Sequence, residues 1–168
     1  ELSVGMAGMH GTKPANLTFT GTDMIIAVGV RFDDRVTGKL SEFAKNSQVI
    51  HIDIDPAEIG KNVKVDVPIV GDAKSVLSDL LVSYKEIVKK KGKPDRKEWL
   101  DFVMALKKQC EFKPEKDSES LKPGYIIRKI WEATGGDAII CTEVGQNQMW
   151  AAQYFKCLKP RTFISSGG

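Results

Sequence analysis

The chain has 168 residues, 42% hydrophobic and 28% charged, with a formal net charge of +3 and an isoelectric point near 8.7. That size and balance suit one ordinary soluble domain or parts of two. Much of the small basic excess sits in "KKKGK" (Lys89–Lys93), which reads as a solvated helix end entering a linker, so the charge points to neither nucleic acid nor a membrane surface. Cys110, Cys141 and Cys157 stand far apart without CxxC spacing, as expected of a reduced, cytoplasmic protein. Only His10 and His51 could join them, which argues against zinc. No run approaches the ~20 apolar residues of a membrane span, and none resembles a secretory signal. The chain opens on Glu1 and closes on "SSGG", so both ends are expected to be cuts in a longer polypeptide.

In chain order, "GMAGMHGTKPAN" (5–16) places glycines around Met9 and His10, ahead of a proline-started segment. Glycine-rich backbone at a helix N-terminus can receive an anion or a flat ring, although His10 alone reads as structural. Strands are expected at 23–30, 47–55, 67–72, 137–143 and 161–165, from short Ile- and Val-rich runs that end in polar residues. In the second, Ile50, Ile52 and Ile54 alternate with His51, Asp53 and Asp55, and His51 reads as structural. Helices are expected at 73–91, 94–110, 125–134 and 147–155. Val76, Leu77, Leu80, Leu81, Tyr84, Ile87 and Val88 form one apolar face of the first, and Pro94 suits the first turn of the second. Met149 and Trp150 read as core.

This alternation predicts an α/β fold with a doubly wound, mainly parallel sheet and flanking helices, truncated at its start and followed by the first part of a second α/β domain. The expected division is 1–82, then an interdomain connection with one helix over 83–120, including "KPEKDSES", then 121–168.

Ligands of such sheets sit beyond the carboxyl ends of the strands. The first end, "GVRFDDR", offers Gly29 for close backbone approach and Arg31 as a planar fork for phosphate. Asp53 lies 24 residues after Gly29, close to the spacing at which nucleotide-binding sheets place an acid for ribose hydroxyls. Asp72 stands at a potential helix N-cap. In "CTEVGQNQMW" (141–150), Gln146 and Asn147 fall at a helix start, where amides and free backbone N–H groups can hold a phosphate oxygen. There is no GxGxxG. On chemistry alone, a nucleotide or diphosphate site competes evenly with structural caps and with surface ion pairs of Arg31 and Arg35 to Asp33 and Asp34.

"GMAGMHGTKPAN", "VGVRFDDRVTGKL", "VIHIDIDPAEIGKN", "VPIVGDA", "VGQNQMWAAQ" and "FISSGG", in that order, resemble the catalytic (large) subunits of the acetolactate synthase (acetohydroxyacid synthase) family. The resemblance is weakest over about 83–120. It implies that 1–82 is the C-terminal half of a central FAD-binding domain and 121–168 the start of a thiamine-diphosphate domain. It implies flavin contacts at Ala7, Gly8, Met9, His10, Gly29, Val30, Arg31, Phe32, Asp33, Asp34, Arg35, Asp53, Ile54, Asp72 and Ala73. Asp34 and Arg35 would also border the substrate channel. Gln146 and Asn147 would hold the diphosphate of thiamine diphosphate; many members have histidine at the second position, which implies an altered pH dependence here.

The implied enzyme is a transferase that decarboxylates pyruvate and joins the remaining two-carbon unit to a second pyruvate or to 2-oxobutyrate, in branched-chain amino-acid synthesis. Thiamine diphosphate, Mg2+ and FAD are its implied cofactors, with FAD structural and without net redox change. A homodimer or homotetramer and a regulatory small subunit are the implied partners. The glutamate that forms the ylid would precede this chain and the magnesium segment would follow it. The chain alone is thus expected to hold no catalytic or metal-binding residue and to be inactive. Related enzymes of the glyoxylate carboligase or pyruvate oxidase type, and a non-catalytic nucleotide-binding module, are the competing readings.

Overall fold

A computed structural model describes residues 2–110 and 121–166. The expected "KPEKDSES" connection and the final two glycines lie outside the described residues. The chain divides into two compact units, Leu17–Ala105 and Glu1–Asn16 with Leu106–Gly168. Two helices, α1 (Lys13–Gly21) and α4 (Lys97–Gln109), run from one unit into the other along the sequence.

The Leu17–Ala105 unit is built on three strands, β1 (Met24–Val28), β2 (Gln48–Asp53) and β3 (Val67–Val70), in the order β1-β2-β3. Both pairings are parallel, with Val28 opposite Ile52 and Asp53 opposite Val70. The carboxyl ends of all three strands therefore lie along one edge. As the central strand, β2 is covered on both faces: Val49 and His51 are buried on one and Ile52 on the other. The expected strand of 47–55 stops at Asp53, so Ile54 leaves the alternation and is 72% exposed. The stop has a local cause, because Asp53 Oδ1 accepts the Asp55 N–H at 2.9 Å and folds the chain into a turn.

Ala27, Phe32, Val49 and Val63 form the core of this unit, with Val30, Val36, Phe43, Ala44 and Val65 packed against them. Burial of each larger side chain contributes about 1.5–3 kcal/mol. A short helix that the sequence periodicity did not announce, α2 (Asp34–Thr37), follows β1. After β3 comes α3 (Ala73–Lys91), with the bounds expected from periodicity, begun by Asp72 and ended at Gly92. Its apolar face is largely uncovered among the described residues: Leu77, Leu80, Leu81, Tyr84 and Ile87 remain exposed, while Val76 and Val88 are half-buried. The next helix, α4, starts at Lys97 rather than Pro94, because the Asp95 carboxylate accepts the Lys97 N–H at 2.8 Å and sets the start there.

The other unit holds a parallel pair, β4 (Ile140–Thr142) and β5 (Phe163–Ser165), shorter than the runs at 137–143 and 161–165 suggest. Helix α5 (Pro123–Thr134) begins on a proline, whose missing N–H costs nothing at that position. It packs against α6 (Gln146–Tyr154), with Gly124 held close to the Tyr154 ring. Ala151 and Phe155 are buried, while Met149 and Trp150 are only half-buried.

Candidate functional site

In the Leu17–Ala105 unit, three turns expected to carry a ligand leave the same edge of one sheet. Gly29 N–H donates to the Ile52 carbonyl at 2.8 Å, and Gly71 N–H donates to the Asp53 carbonyl at 2.9 Å. Each turn is thereby fastened to β2, and Gly29–Arg35, Asp53–Ile54 and Asp72–Ala73 become neighbours. The acids are occupied in a specific way. Asp33 Oδ1 accepts the Val36 N–H at 3.1 Å and caps α2, while Asp72 Oδ1 accepts the Ser75 N–H at 3.0 Å and caps α3. Asp53 Oδ1 accepts the Asp55 N–H of its own turn, and its other oxygen, Oδ2, lies 3.9 Å from His51 Nε2.

The surface-ion-pair alternative holds for half of the cluster. Asp34 and Arg35 pair at 3.1 Å, both well exposed, a contact worth little in water. Arg31 is exposed and makes no ion pair among the described residues, so its guanidinium is available to an anion. Phe32 splits its duties: its side chain is core, 5.0 Å edge-to-face from His51 and 5.7 Å from Phe43, and its carbonyl accepts from Asn62 Nδ2 at 2.7 Å. His51 is 0% exposed, and its Nε2 donates to the Val30 carbonyl at 3.0 Å. A strand histidine that reads as structural thus holds the backbone of the arginine-bearing turn.

Ala7, Gly8, Met9 and His10 belong to the other unit. Their turn is closed by Asn16, which accepts the Gly8 N–H at 2.7 Å and donates to the Gly8 carbonyl at 3.0 Å. Thr12 accepts the Ala15 N–H at 3.2 Å at the start of α1. A side chain at Gly11 would overlap the Met6 carbonyl and the Ala7 backbone, so glycine is required there. Met9 is exposed and His10 half-buried.

Gln146 and Asn147 open α6 in that same unit, with both side chains exposed. The residue before them, Gly145, has φ +147° and supplies no side-chain cap. In the first turn of α6 the Gln148 N–H is taken by the Gly145 carbonyl at 3.1 Å and by Asn147, which leaves the N–H groups of Gln146 and Asn147 for an anion. Asn147 Oδ1 accepts the Gln148 N–H at 2.6 Å, leaving its Nδ2 as the outward donor.

Among the described residues there is no group of three or more His, Cys, Asp or Glu able to hold a metal ion, and no helix long and apolar enough to cross a membrane. The three cysteines are free thiols. Sequence reasoning missed four polar residues that hold these turns: Asn16, His51 as a backbone donor, Asn62 and Gln148. For the first and third, an asparagine close behind a glycine turn was the available signal.

An α/β unit with parallel strands, whose turns at the carboxyl edge carry carboxylates and an exposed arginine, has the framework on which nucleotide-binding sheets are built. Residues 1–80 match the thiamine pyrophosphate enzyme central domain, thiamine pyrophosphate being thiamine diphosphate under its other name. The chain as a whole is homologous to acetolactate synthase large subunits. It is 46% identical to the probable acetolactate synthase large subunit of Methanococcus aeolicus, over 99% of this chain and 30% of that protein. It is 47% identical to the acetolactate synthase large subunit of Corynebacterium glutamicum, over 100% of this chain and 27% of that protein. It is 43% identical to the acetolactate synthase isozyme 3 large subunit of Escherichia coli K12, over 99% of this chain and 29% of that protein. The chain thus spans under a third of the length of these relatives.

Proposed function

We propose that this chain serves as the cofactor-holding middle portion of an acetolactate synthase large subunit, an enzyme that makes 2-acetolactate or 2-aceto-2-hydroxybutyrate from pyruvate and a second 2-oxoacid. One observation carries the reading: α6 begins at Gly145 without a side-chain cap, directly followed by two exposed amides, in a chain homologous to those enzymes. The residues suit the diphosphate. The backbone N–H groups of Gln146 and Asn147 and the Asn147 Nδ2 donate to phosphate oxygens, and no carboxylate occupies the helix end.

FAD is the proposed ligand of the β1–β3 edge. Asp53 accepts from hydroxyl groups, and Arg31 pairs with a phosphate. The caps at Asp33 and Asp72 hold the loops still. Asp34 and Arg35, exposed beside them, are the proposed border of the substrate channel. Thiamine diphosphate, when bound with Mg2+, supplies the electron sink for decarboxylation, and the protein supplies orientation and exclusion of water. Pyruvate and 2-oxobutyrate as substrates, a homodimer or homotetramer, a regulatory small subunit and a cytoplasmic location complete the proposal.

The test is an assay of acetolactate from pyruvate by the intact protein, with thiamine diphosphate, Mg2+ and FAD each supplied or withheld. Product that requires thiamine diphosphate and Mg2+, with the flavin remaining oxidised, is the expected result. Flavin reduction coupled to pyruvate consumption would instead indicate an oxidase, and bound flavin without product a module without catalysis.

A further inference from the structure

Gln148 is 4% exposed, although it follows directly on the two exposed amides that open α6. Its Nε2 donates to Ser165 Oγ at 2.6 Å and to the Ser166 carbonyl at 2.7 Å. Ser165 Oγ lies 2.9 Å from Thr142 Oγ1, and Thr142 and Ser165 are paired at the carboxyl ends of β4 and β5. One side chain therefore ties the first turn of a helix to the end of β5 directly and, through Ser165 Oγ, to the end of β4. The amide orientation is determined by chemistry: a backbone carbonyl accepts only, so reversing the amide would set Oε1 against the Ser166 oxygen. As placed, Gln148 Oε1 is buried without a hydrogen-bond partner among the described residues. An unsatisfied buried acceptor is unfavourable, and it is tolerated here in favour of the two donated bonds.

We infer that Gln148 is a positioning residue for diphosphate binding. It does not reach the ligand itself. It fixes the α6 N-terminus against β4 and β5, so that the N–H groups of Gln146 and Asn147 and the Asn147 amide hold one direction. Helical geometry permits this division of labour, because successive residues point about 100° apart, and one can face inward while the two before it face out. The inference rests on the thiamine diphosphate reading above.

The test uses the intact protein and the variants Gln148→Met, which keeps length and removes the donor, and Ser165→Ala, which leaves the Ser166 bond in place. Dissociation constants for thiamine diphosphate and thiamine monophosphate are measured by tryptophan fluorescence, alongside the thermal midpoint. Gln148→Met is expected to weaken diphosphate binding about tenfold or more while hardly changing monophosphate binding, so that discrimination between the two collapses. Ser165→Ala is expected to give a smaller loss in the same direction, and it decides the matter if Gln148→Met does not fold. A lower midpoint with unchanged discrimination in both variants would overturn the inference and make Gln148 a core residue only. A wild-type protein that binds neither ligand would overturn the underlying reading instead.

Discussion

The strand ends of the two units present opposite chemistry. Along the β1–β3 edge, Asp33, Asp53 and Asp72 each accept a backbone N–H from their own turn. The two short strands β4 and β5 instead face a helix that starts on glycine with no side-chain cap. A carboxylate at a helix start satisfies orphan N–H groups and repels a second anion; a start without a carboxylate, such as that of α6 with the N–H groups of Gln146 and Asn147 left over, attracts one. The three-stranded edge is thus suited to hydroxyl-bearing ligands with arginine available for phosphate, and the α6 start to a diphosphate. The difference lies in the residue ahead of each helix, not in the fold, since both sheets are parallel and both use their carboxyl ends.

The largest effect tests whether the three-stranded edge depends on its central strand. Ile52→Ala empties a fully buried position in β2, whose carbonyl holds Gly29, and is expected to cost about 2–5 kcal/mol. A denaturant titration, read alongside release of the proposed flavin, checks it. A loss of flavin without a shift of the unfolding midpoint would mean that the turns are held by something other than β2. Next comes an exchange of cap chemistry. Gly145→Asp places a carboxylate where the diphosphate is proposed to bind, and Gly145→Asn imposes the same backbone strain at φ +147° without the charge. The aspartate variant is expected to bind thiamine diphosphate about tenfold more weakly than the asparagine variant, or weaker still. Equal affinities of the two by calorimetry would remove the electrostatic half of the comparison.

Much of this contrast was legible in the sequence. Acids that interrupt Ile- and Val-rich runs mark where strands end, so Asp53 and Asp72 stood out, and the helical period of 73–91 gave α3 its bounds. The polar residues that hold the turns were not legible. Asn16, Asn62 and Gln148 reach partners 8, 30 and 17 or 18 residues away, and a neutral amide reads alike in sequence whether exposed or buried. Phe32 was hidden for another reason: it sits among four charged residues, yet its ring belongs to the core. The apolar face of α3 was visible as periodicity, but periodicity does not say what covers a face, and α3 buries none of it among the described residues.

The comparison sharpens at smaller magnitudes. Asp72→Ala removes the α3 cap, with an expected cost of about 0.5–2 kcal/mol in stability. It also opens a second helix start to anions, so phosphate should protect this variant from unfolding more than it protects the wild type. Equal protection in a melting series with added phosphate would show that the cap does not govern anion access. Asn147→His probes the other side. An amide does not titrate, so in the wild type the change of thiamine diphosphate affinity near pH ~6.5 should be that of the ligand's own phosphate, with no contribution from residue 147. The histidine variant should bind more tightly as pH falls through that range, since the protonated ring adds a positive charge beside the phosphate. The same affinity profile in both proteins would exclude residue 147 from the diphosphate contact.

The smallest effect is expected from a charge pair that caps nothing. On α5, Lys129 donates to Glu132 at 2.7 Å. That hydrogen bond is the main cause that lowers the Glu132 carboxyl below its ordinary range and raises the Lys129 amine above its own. The signs set the window. A carboxyl lowered on folding stabilises above its unfolded value and loses that contribution as pH falls through its folded value. An amine raised on folding stabilises below its unfolded value and loses that contribution as pH rises through its folded value. The pair therefore acts across the neutral range and fades at both extremes, and its contact with solvent keeps it weak and sensitive to salt. Glu132→Gln should lower the thermal midpoint less than Asp72→Ala at neutral pH and low salt, with the difference from wild type vanishing in acid and in high salt. An effect as large as that of Asp72→Ala, or one that survives in acid, would mean that charge alone accounts for what is assigned here to the caps at the strand ends.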